Sequence, residues 1–407
     1  MSELVPVPPR ERMVTLDVLR GFALCGVLIV NMVVYNWRIG APPDDALPNQ
    51  IAHWFLIIFV LSKAQTLLTI LFGLGFAMQL MRAEERGEPV TGLYLRRLAA
   101  LMVFGLLHIT LLWWGDVTWS YAVAGLGLLP FVRVSNRARV IWALGFVFVP
   151  SVVTSIPAVS SATIRVFMEP AEYGAGMARM VRAIHGPSHA GLWWEHLRFA
   201  LVFMAAVYAS YFPWVLGRFL LGYVAGRLRW FADDGAGHLP VFRRLASWGG
   251  AIAVVTAAIT VMTKVGWIPL PALGLGGQLG MVVVHEAGLL ATTSFYVGLV
   301  VLLLQRPRWR RVLAVVAPMG RMPLTTYFTQ SLVCTFLFYG WGLGWIDQVG
   351  VAAGIALSLV ILSVQVVLSQ LWLRWFRFGP FEWLWRAAVY WKVPPMRARA
   401  PLPGHGS

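Results

Sequence analysis

The sequence predicts an all-α, polytopic integral membrane protein of about ten transmembrane helices, with both termini in the cytoplasm. Three observations predict it. Of 407 residues, 59% are hydrophobic and only 12% charged, with a mean hydropathy of +0.72. Soluble domains hold about 45–50% apolar and about 25% charged residues, so lipid is the better solvent for this chain. The chain carries 20 Trp, and indole rings concentrate at the two membrane interfaces. Finally, its cations are segregated along the sequence in a way that only an even number of crossings explains.

A bilayer-crossing helix needs roughly 20 largely apolar residues. Runs of that kind are expected near Leu16–Trp37, Phe59–Met81, Leu95–Trp114, Thr118–Val132 and Val140–Pro157. The second half adds Tyr208–Leu228, Leu245–Val265, Val284–Leu304, Pro323–Gly340 and Val351–Trp372. Residues 51–62 and 195–207 read as segments able to lie flat at the interface. With a cytoplasmic N-terminus, the inner segments collect Arg10, Arg12 and Arg20, then Arg82, Arg86, Arg96 and Arg97, then Arg133, Arg137 and Arg139. The later inner segments add Arg227, Arg229, Arg243 and Arg244, the run Arg306–Arg321, and the basic C-terminal stretch from Arg374 onward. Together these are 25 of the 33 cations. Cytoplasmic loops of membrane proteins hold such an excess, and one missed span would invert every later loop. The net charge of +16 therefore needs no nucleic-acid partner.

Three regions follow: a cytoplasmic tail over 1–15, a transmembrane helical domain over 16–375 with its longest outer loop near 158–195, and a cytoplasmic amphipathic helix and tail over 376–407. That outer loop is too short for a domain but long enough to cap a cavity. Cys25 and Cys334 both sit in apolar runs, which suggests neither a disulfide framework nor a metal cluster. The first apolar run follows Asp17 and Arg20 and has no small-residue cleavage site, so a cleaved signal peptide is not expected. Walker, HExxH, paired CxxC and GxSxG motifs are absent, and no metal site is expected. Gly274, Gly276 and Gly280 miss the dinucleotide spacing and are expected in an outer turn. Gly222 and Gly226 form a small-xxx-small pair suited to close helix packing.

Polar residues within membrane depth are the informative ones, because burying them is expensive. Asp17 and Arg20 are three apart, hence on one face of the first helix. They read as an anchoring ion pair or as part of an inner-face arginine set that receives an anionic donor. Asn31 lies about three turns higher, as an interhelical amide or a site residue. His108 precedes Asp116 by eight residues, about 12 Å along a straight helix. A fold at Gly115 would shorten that gap and make a carboxylate-held imidazole, the usual general-base arrangement. Asp116 is expected at the outer surface. His53 and Lys63 flank the outer entrance to the second span. Glu286, beside His285, is expected as a first-turn acid favoured by the helix dipole. Thr325, Thr326, Gln330 and Ser331 give the ninth span a polar inner half, either for packing or as the lining of a passage. Residues 379–386 read as an amphipathic helix at the inner interface.

Together, the stretches 16–31 (LDVLRGFALCGVLIVN), 63–76, 105–121 (GLLHITLLWWGDVTWSY), 320–331 and 379–390 resemble the YeiB-like family of bacterial membrane proteins. At longer range the first helix is similar to that of the transmembrane acyltransferase superfamily, which includes the heparan-glucosaminide acetyltransferases. The resemblance implies acyl transfer from a cytoplasmic acyl-coenzyme A, with no tightly bound cofactor, to a hydroxyl or amine of an extracytoplasmic glycan, lipid or small molecule. It also implies the bacterial inner membrane as location. Asn31 matches the Asn of the Val-Asn pair in the heparan-type enzymes. Those have a catalytic His soon after it, whereas here the next His is His53, 22 residues on. On this reading His108, Asp116, Asn31 and His53 are the candidate catalytic residues. Arg20, Arg96, Arg97, Arg227 and Arg321 are the candidates for the coenzyme A phosphates. The alternative is a transporter or flippase for a lipid-linked or amphiphilic compound. A homodimer is left open.

Overall fold

A computed structural model describes residues 13–36, 46–87, 90–167, 170–203 and 205–397. Most of the N-terminal tail, Arg38 and the last ten residues, Arg399 among them, lie outside the described residues. The described chain is all-α. Helix α1 spans Val14–Tyr35, α2 Leu47–Phe55, α3 Lys63–Glu85, α4 Val90–Leu111, α5 Thr118–Leu126 and α6 Asn136–Thr154. Next come α7 Pro157–Phe167, α8 Pro170–His185, α9 His189–Arg198, α10 Ala205–Arg227, α11 Leu239–Lys264 and α12 Gly274–Leu304. The chain ends with α13 Pro307–Leu313, α14 Ala317–Arg321, α15 Pro323–Phe338, α16 Val351–Trp375 and α17 Pro380–Tyr390.

Seven segments among the described residues are long and apolar enough to cross a membrane: Val14–Tyr35, Leu47–Glu85, Thr91–Leu111, Asn136–Thr154, Ala232–Lys264, Leu270–Leu304 and Val351–Trp375. Burial agrees with lipid as the solvent. Val254, Val360 and Leu368 are exposed, while His108, Asp116, Arg218 and Glu286 are buried. That is the inverse of a soluble protein, as expected where an exposed charge would face hydrocarbon.

Helix α10 packs along α3 and α6, and α11 along α12. Gly222 and Gly226 sit where α10 crosses α3: a Cβ at Gly222 would enter the Ile70 carbonyl, and one at Gly226 would meet the Ala77 methyl. The small-xxx-small pair therefore serves close backbone approach, as its spacing predicts. Three findings correct the sequence reading. Helix α12 begins at Gly274, ten residues before the expected span, so Gly276 and Gly280 are helical rather than in a turn. Glu286 consequently lies inside that helix and is buried, not a first-turn acid. Third, residues 51–62 are not one flat segment: α2 continues through a π-helical turn at Leu56–Val60, and Ser62, in the left-handed region (φ 63°), redirects the chain into α3.

The expected capping loop is itself helical. Helix α9 packs on α4, and His189 Nε2 contacts the Leu111 carbonyl at 2.9 Å. At the other end of the molecule, α17 contacts α4 and α15 and closes the space between them.

Candidate functional site

A cavity of about 710 Å³ runs through the middle of the bundle. One end is basic: Arg20 from α1, Arg97 from α4, Arg321 from α14 and Arg386 from α17 line it. Its opposite end is lined by Asn31, Asp116, Tyr121, Tyr208, Tyr211 and Tyr327. Between them the walls are mostly apolar, including Leu24, Leu68, Phe72 and Leu101. Arg97 and His108 are both on α4, eleven residues apart, which sets the length of the cavity at about 16 Å at 1.5 Å per residue.

The far end is built by a sharp return of the chain. After Leu111 the backbone widens, with Leu112 N and Trp113 N both donating to the His108 carbonyl. Gly115 then passes under the Trp113 indole, where a Cβ would meet that ring at 2.5 Å. The turn sends Asp116 back down beside α4. Its Oδ1 accepts from Thr118 N at 2.7 Å and Trp119 N at 3.1 Å, which satisfies free N–H groups of the first turn of α5. Asp116 Oδ2 lies 3.0 Å from His108 Nδ1, and both side chains are fully buried. The expected pairing through a fold at Gly115 is therefore present. The expected surface position of Asp116 is not, because the turn folds it inward.

The order of the two groups is also the reverse of the sequence-based expectation. Asp116 lines the cavity and His108 lies behind it. The imidazole stacks on Tyr327 (4.8 Å between centroids) and touches Phe328 (4.6 Å). Its Nδ1 is turned off the line of a good hydrogen bond to the carboxylate, and its Nε2 is buried without a partner among the described residues. The Tyr327 hydroxyl at the cavity wall is likewise buried and unpartnered. Buried polar groups are nearly always hydrogen-bonded, so this cluster retains capacity for further hydrogen bonds beside the cavity.

At the basic end, Arg20 Nη1 pairs with Asp17 at 3.3 Å, as their spacing predicts. Helix α17 forms the floor. Glu382 Oε1 accepts from Leu324 N (2.6 Å) and Thr325 N (3.1 Å), and its Oε2 from the Thr325 hydroxyl (2.6 Å). This carboxylate caps α15 from a neighbouring helix. Burial pushes the Glu382 carboxyl up from its ordinary value, against those three donors. Trp385 of α17 stacks under the Arg97 guanidinium at 4.7 Å.

The cavity thus unites Arg20, Arg97, Arg321, Asn31 and Asp116, with His108 behind. It does not include the other candidates. Arg96 bonds back to Gly92 on an exposed face. Arg227 pairs with Glu84 at 2.5 Å. His53 lines a separate cavity. The polar run of α15 serves packing rather than a passage: Gln330 donates to Gln365 at 3.0 Å, and Ser331 accepts from Tyr35 at 2.7 Å. Tyr327 alone of the tyrosine and polar residues in that run faces the cavity. Sequence reasoning missed Tyr327, Trp385 and Arg386, although each lay inside a stretch already singled out.

Comparison with known proteins places the chain. The chain is 32% identical to uncharacterized protein YxaH of Bacillus subtilis (strain 168), over 99% of this chain and all of that protein. It is 30% identical to uncharacterized protein YeiB of Escherichia coli (strain K12), over 92% of this chain and 96% of that one. The chain belongs to the YeiB-like family. A model of that family, protein of unknown function (DUF418), matches residues 225–392. This stretch holds α11 to α17, and so Arg321, Tyr327 and α17 but not the His108–Asp116 turn. An uncharacterized 39.9 kDa protein of Bacillus acidopullulyticus is 26% identical over 95% of the chain and 96% of its own length. No solved structure matches.

Proposed function

We propose that this protein is a membrane acyltransferase that moves an acyl group from a cytoplasmic acyl-coenzyme A to a hydroxyl or amine on the other side of the bacterial inner membrane. The observation that carries the reading is the single cavity that joins an arginine-lined end to a carboxylate–imidazole pair about 16 Å away. On this reading the chain crosses the membrane ten times with both ends in the cytoplasm. Besides the seven long apolar segments, α5, α10 and α15 occupy the three remaining expected spans. The shortest is α5, nine residues and about 13 Å long, extended by the turn that follows it.

Arg20, Arg97, Arg321 and Arg386 face the cytoplasm and take the donor's phosphates through charge-assisted hydrogen bonds. The thioester reaches up the apolar part of the cavity. At the far end the acceptor oxygen or nitrogen attacks the thioester carbonyl and its proton passes to Asp116. The carbon–sulfur bond breaks, and coenzyme A leaves as a thiolate that takes up the proton. His108, behind Asp116 at 3.0 Å, holds the carboxylate in place. The Tyr327 hydroxyl and the Asn31 amide donate to the developing oxyanion. His108 is in this scheme a positioning residue, and Asp116 the catalytic base.

The test is loss of acetyl-coenzyme A thioester in proteoliposomes supplied with a mixture of candidate acceptors on the opposite side. Acceptor-dependent thiol release supports the reading. Counterflow of an amphiphilic solute without thiol release would replace it with transport.

A further inference from the structure

A second cavity of about 560 Å³ lies between α1, the α2–α3 corner, α11 and α12. Its polar lining has one sign. His53 comes from α2, Lys63 from the start of α3, Lys264 from the last residue of α11 and His285 from α12. Lys63 is buried, and one of its three donors reaches the Ile57 carbonyl at 2.5 Å. Lysines are almost never buried without a function or a partner for the charge. Among the described residues no carboxylate lines this cavity, and Glu286, next in sequence to His285, is turned to Arg218 at 2.7 Å. Lys63 and Lys264 lie at helix ends opposite the arginine clusters, and His285 lies about three turns inside α12. The rest of the wall is apolar, with Leu56, Ile58 and Leu289 among it.

Val30, Val34 and Leu61 line both cavities. Among the described residues these three side chains form a wall common to the two cavities. From this juxtaposition of basic groups, apolar walls and a common boundary, we infer that the second cavity binds an anionic phospholipid of the outer leaflet and presents it as acyl acceptor. The phosphate sits among Lys63, Lys264 and His285, and the lipid tail lies against the apolar wall. The headgroup hydroxyl or amine reaches past Val34 towards Asp116. The inference rests on the acyl-transfer reading for the acceptor role, but the lipid site itself stands on the geometry of this cavity.

The test is native mass spectrometry of the purified protein titrated with phosphatidylglycerol and, in parallel, phosphatidylcholine. Phosphatidylglycerol is expected to bind in preference. Lys264→Gln combined with His285→Gln is expected to weaken it about ten-fold, as the loss of one charge-assisted hydrogen bond implies. Both residues lie near the surface, so the variant tests the site without the folding risk of removing Lys63. Arg308→Gln, at the opposite membrane face, is expected to leave the preference unchanged. Equal binding of both lipids, or a preference that survives the double variant, overturns the lipid site. A thermal shift by inorganic phosphate as large as that by the lipid overturns the lipid as its source. Coenzyme A binding measured on the same double variant keeps the two readings apart. Retained coenzyme A binding without lipid preference overturns this inference alone. Lipid preference without coenzyme A binding in the native sequence overturns the acyl-transfer reading and leaves the lipid site.

Discussion

Two buried pairs of ionisable residues stand within this bundle, and they are built differently. Arg218 and Glu286 meet at 2.7 Å. Every neighbour completes them: Arg218 donates to Thr66 and to the Trp214 carbonyl, and its guanidinium lies 3.3 Å from the Trp214 ring centroid. Glu286 also accepts from Trp214 Nε1 and from the Ser151 hydroxyl. Neither residue lines either cavity. His108 and Asp116 are just as buried, yet the imidazole Nε2 has no partner among the described residues and Asp116 belongs to the cavity wall. A closed network ties α3, α6, α10 and α12 together, whereas the proposed function assigns chemistry to the open one. Burial of charge alone would not separate them.

The largest effect is expected at the open pair. Asp116→Asn keeps the side-chain oxygen that caps α5 but removes the base, so the transfer rate should fall about 10²–10⁴-fold. Melting temperature should change little. His108→Ala should give a smaller loss in rate, and His108→Gln should recover part of it, as expected of a group acting through Asp116. Equal losses of stability and activity in Asp116→Asn would erase the distinction between the two pairs.

The closed pair should respond in the opposite sense. Arg218→Gln leaves Glu286 without its counter-charge, a loss of roughly 3–5 kcal/mol when one partner of a buried pair is removed. Thermal unfolding in detergent reads it. Arg218→Met together with Glu286→Leu should restore much of that stability, because an apolar replacement of both partners is often neutral. The activity of each surviving molecule should stay near that of the native protein.

Smaller effects sharpen the basic end. Arg321→Ala should weaken coenzyme A binding about ten- to a hundred-fold, the range for one charge-assisted hydrogen bond. Arg227→Ala, whose partner is Glu84 outside the cavity, should leave it unchanged. Glu382→Gln is expected to cost about 1 kcal/mol as a lost helix cap, read as a lowered melting temperature with donor affinity close to native.

Much of this was legible in the residues. Hydropathy gave the all-α membrane class and the seven long apolar segments, and the eight-residue spacing with Gly115 gave the His108–Asp116 pairing. The depth of Asp116 was hidden, because a turn that folds inward and one that stays at the surface share the same sequence signals. Glu286 was misplaced for a related reason. The glycines at 274, 276 and 280 resemble a turn, and only packing against α11 shows that the helix begins there. Had α12 been extended, Arg218 and Glu286 would have stood out as opposite charges at membrane depth. A cavity with Arg20, Arg97 and Arg321 at one end was expected, but its full lining was not legible. Periodicity reports which face of a helix is apolar, not whether the space it faces is filled.

The most direct measurement is a structure of the protein determined with a non-hydrolysable acyl-coenzyme A analogue. The account expects the phosphates among Arg20, Arg97 and Arg321, and the carbonyl that replaces the thioester beside Asp116 and Tyr327. An analogue bound outside this cavity, with its phosphates at Arg96 or Arg227, would contradict it.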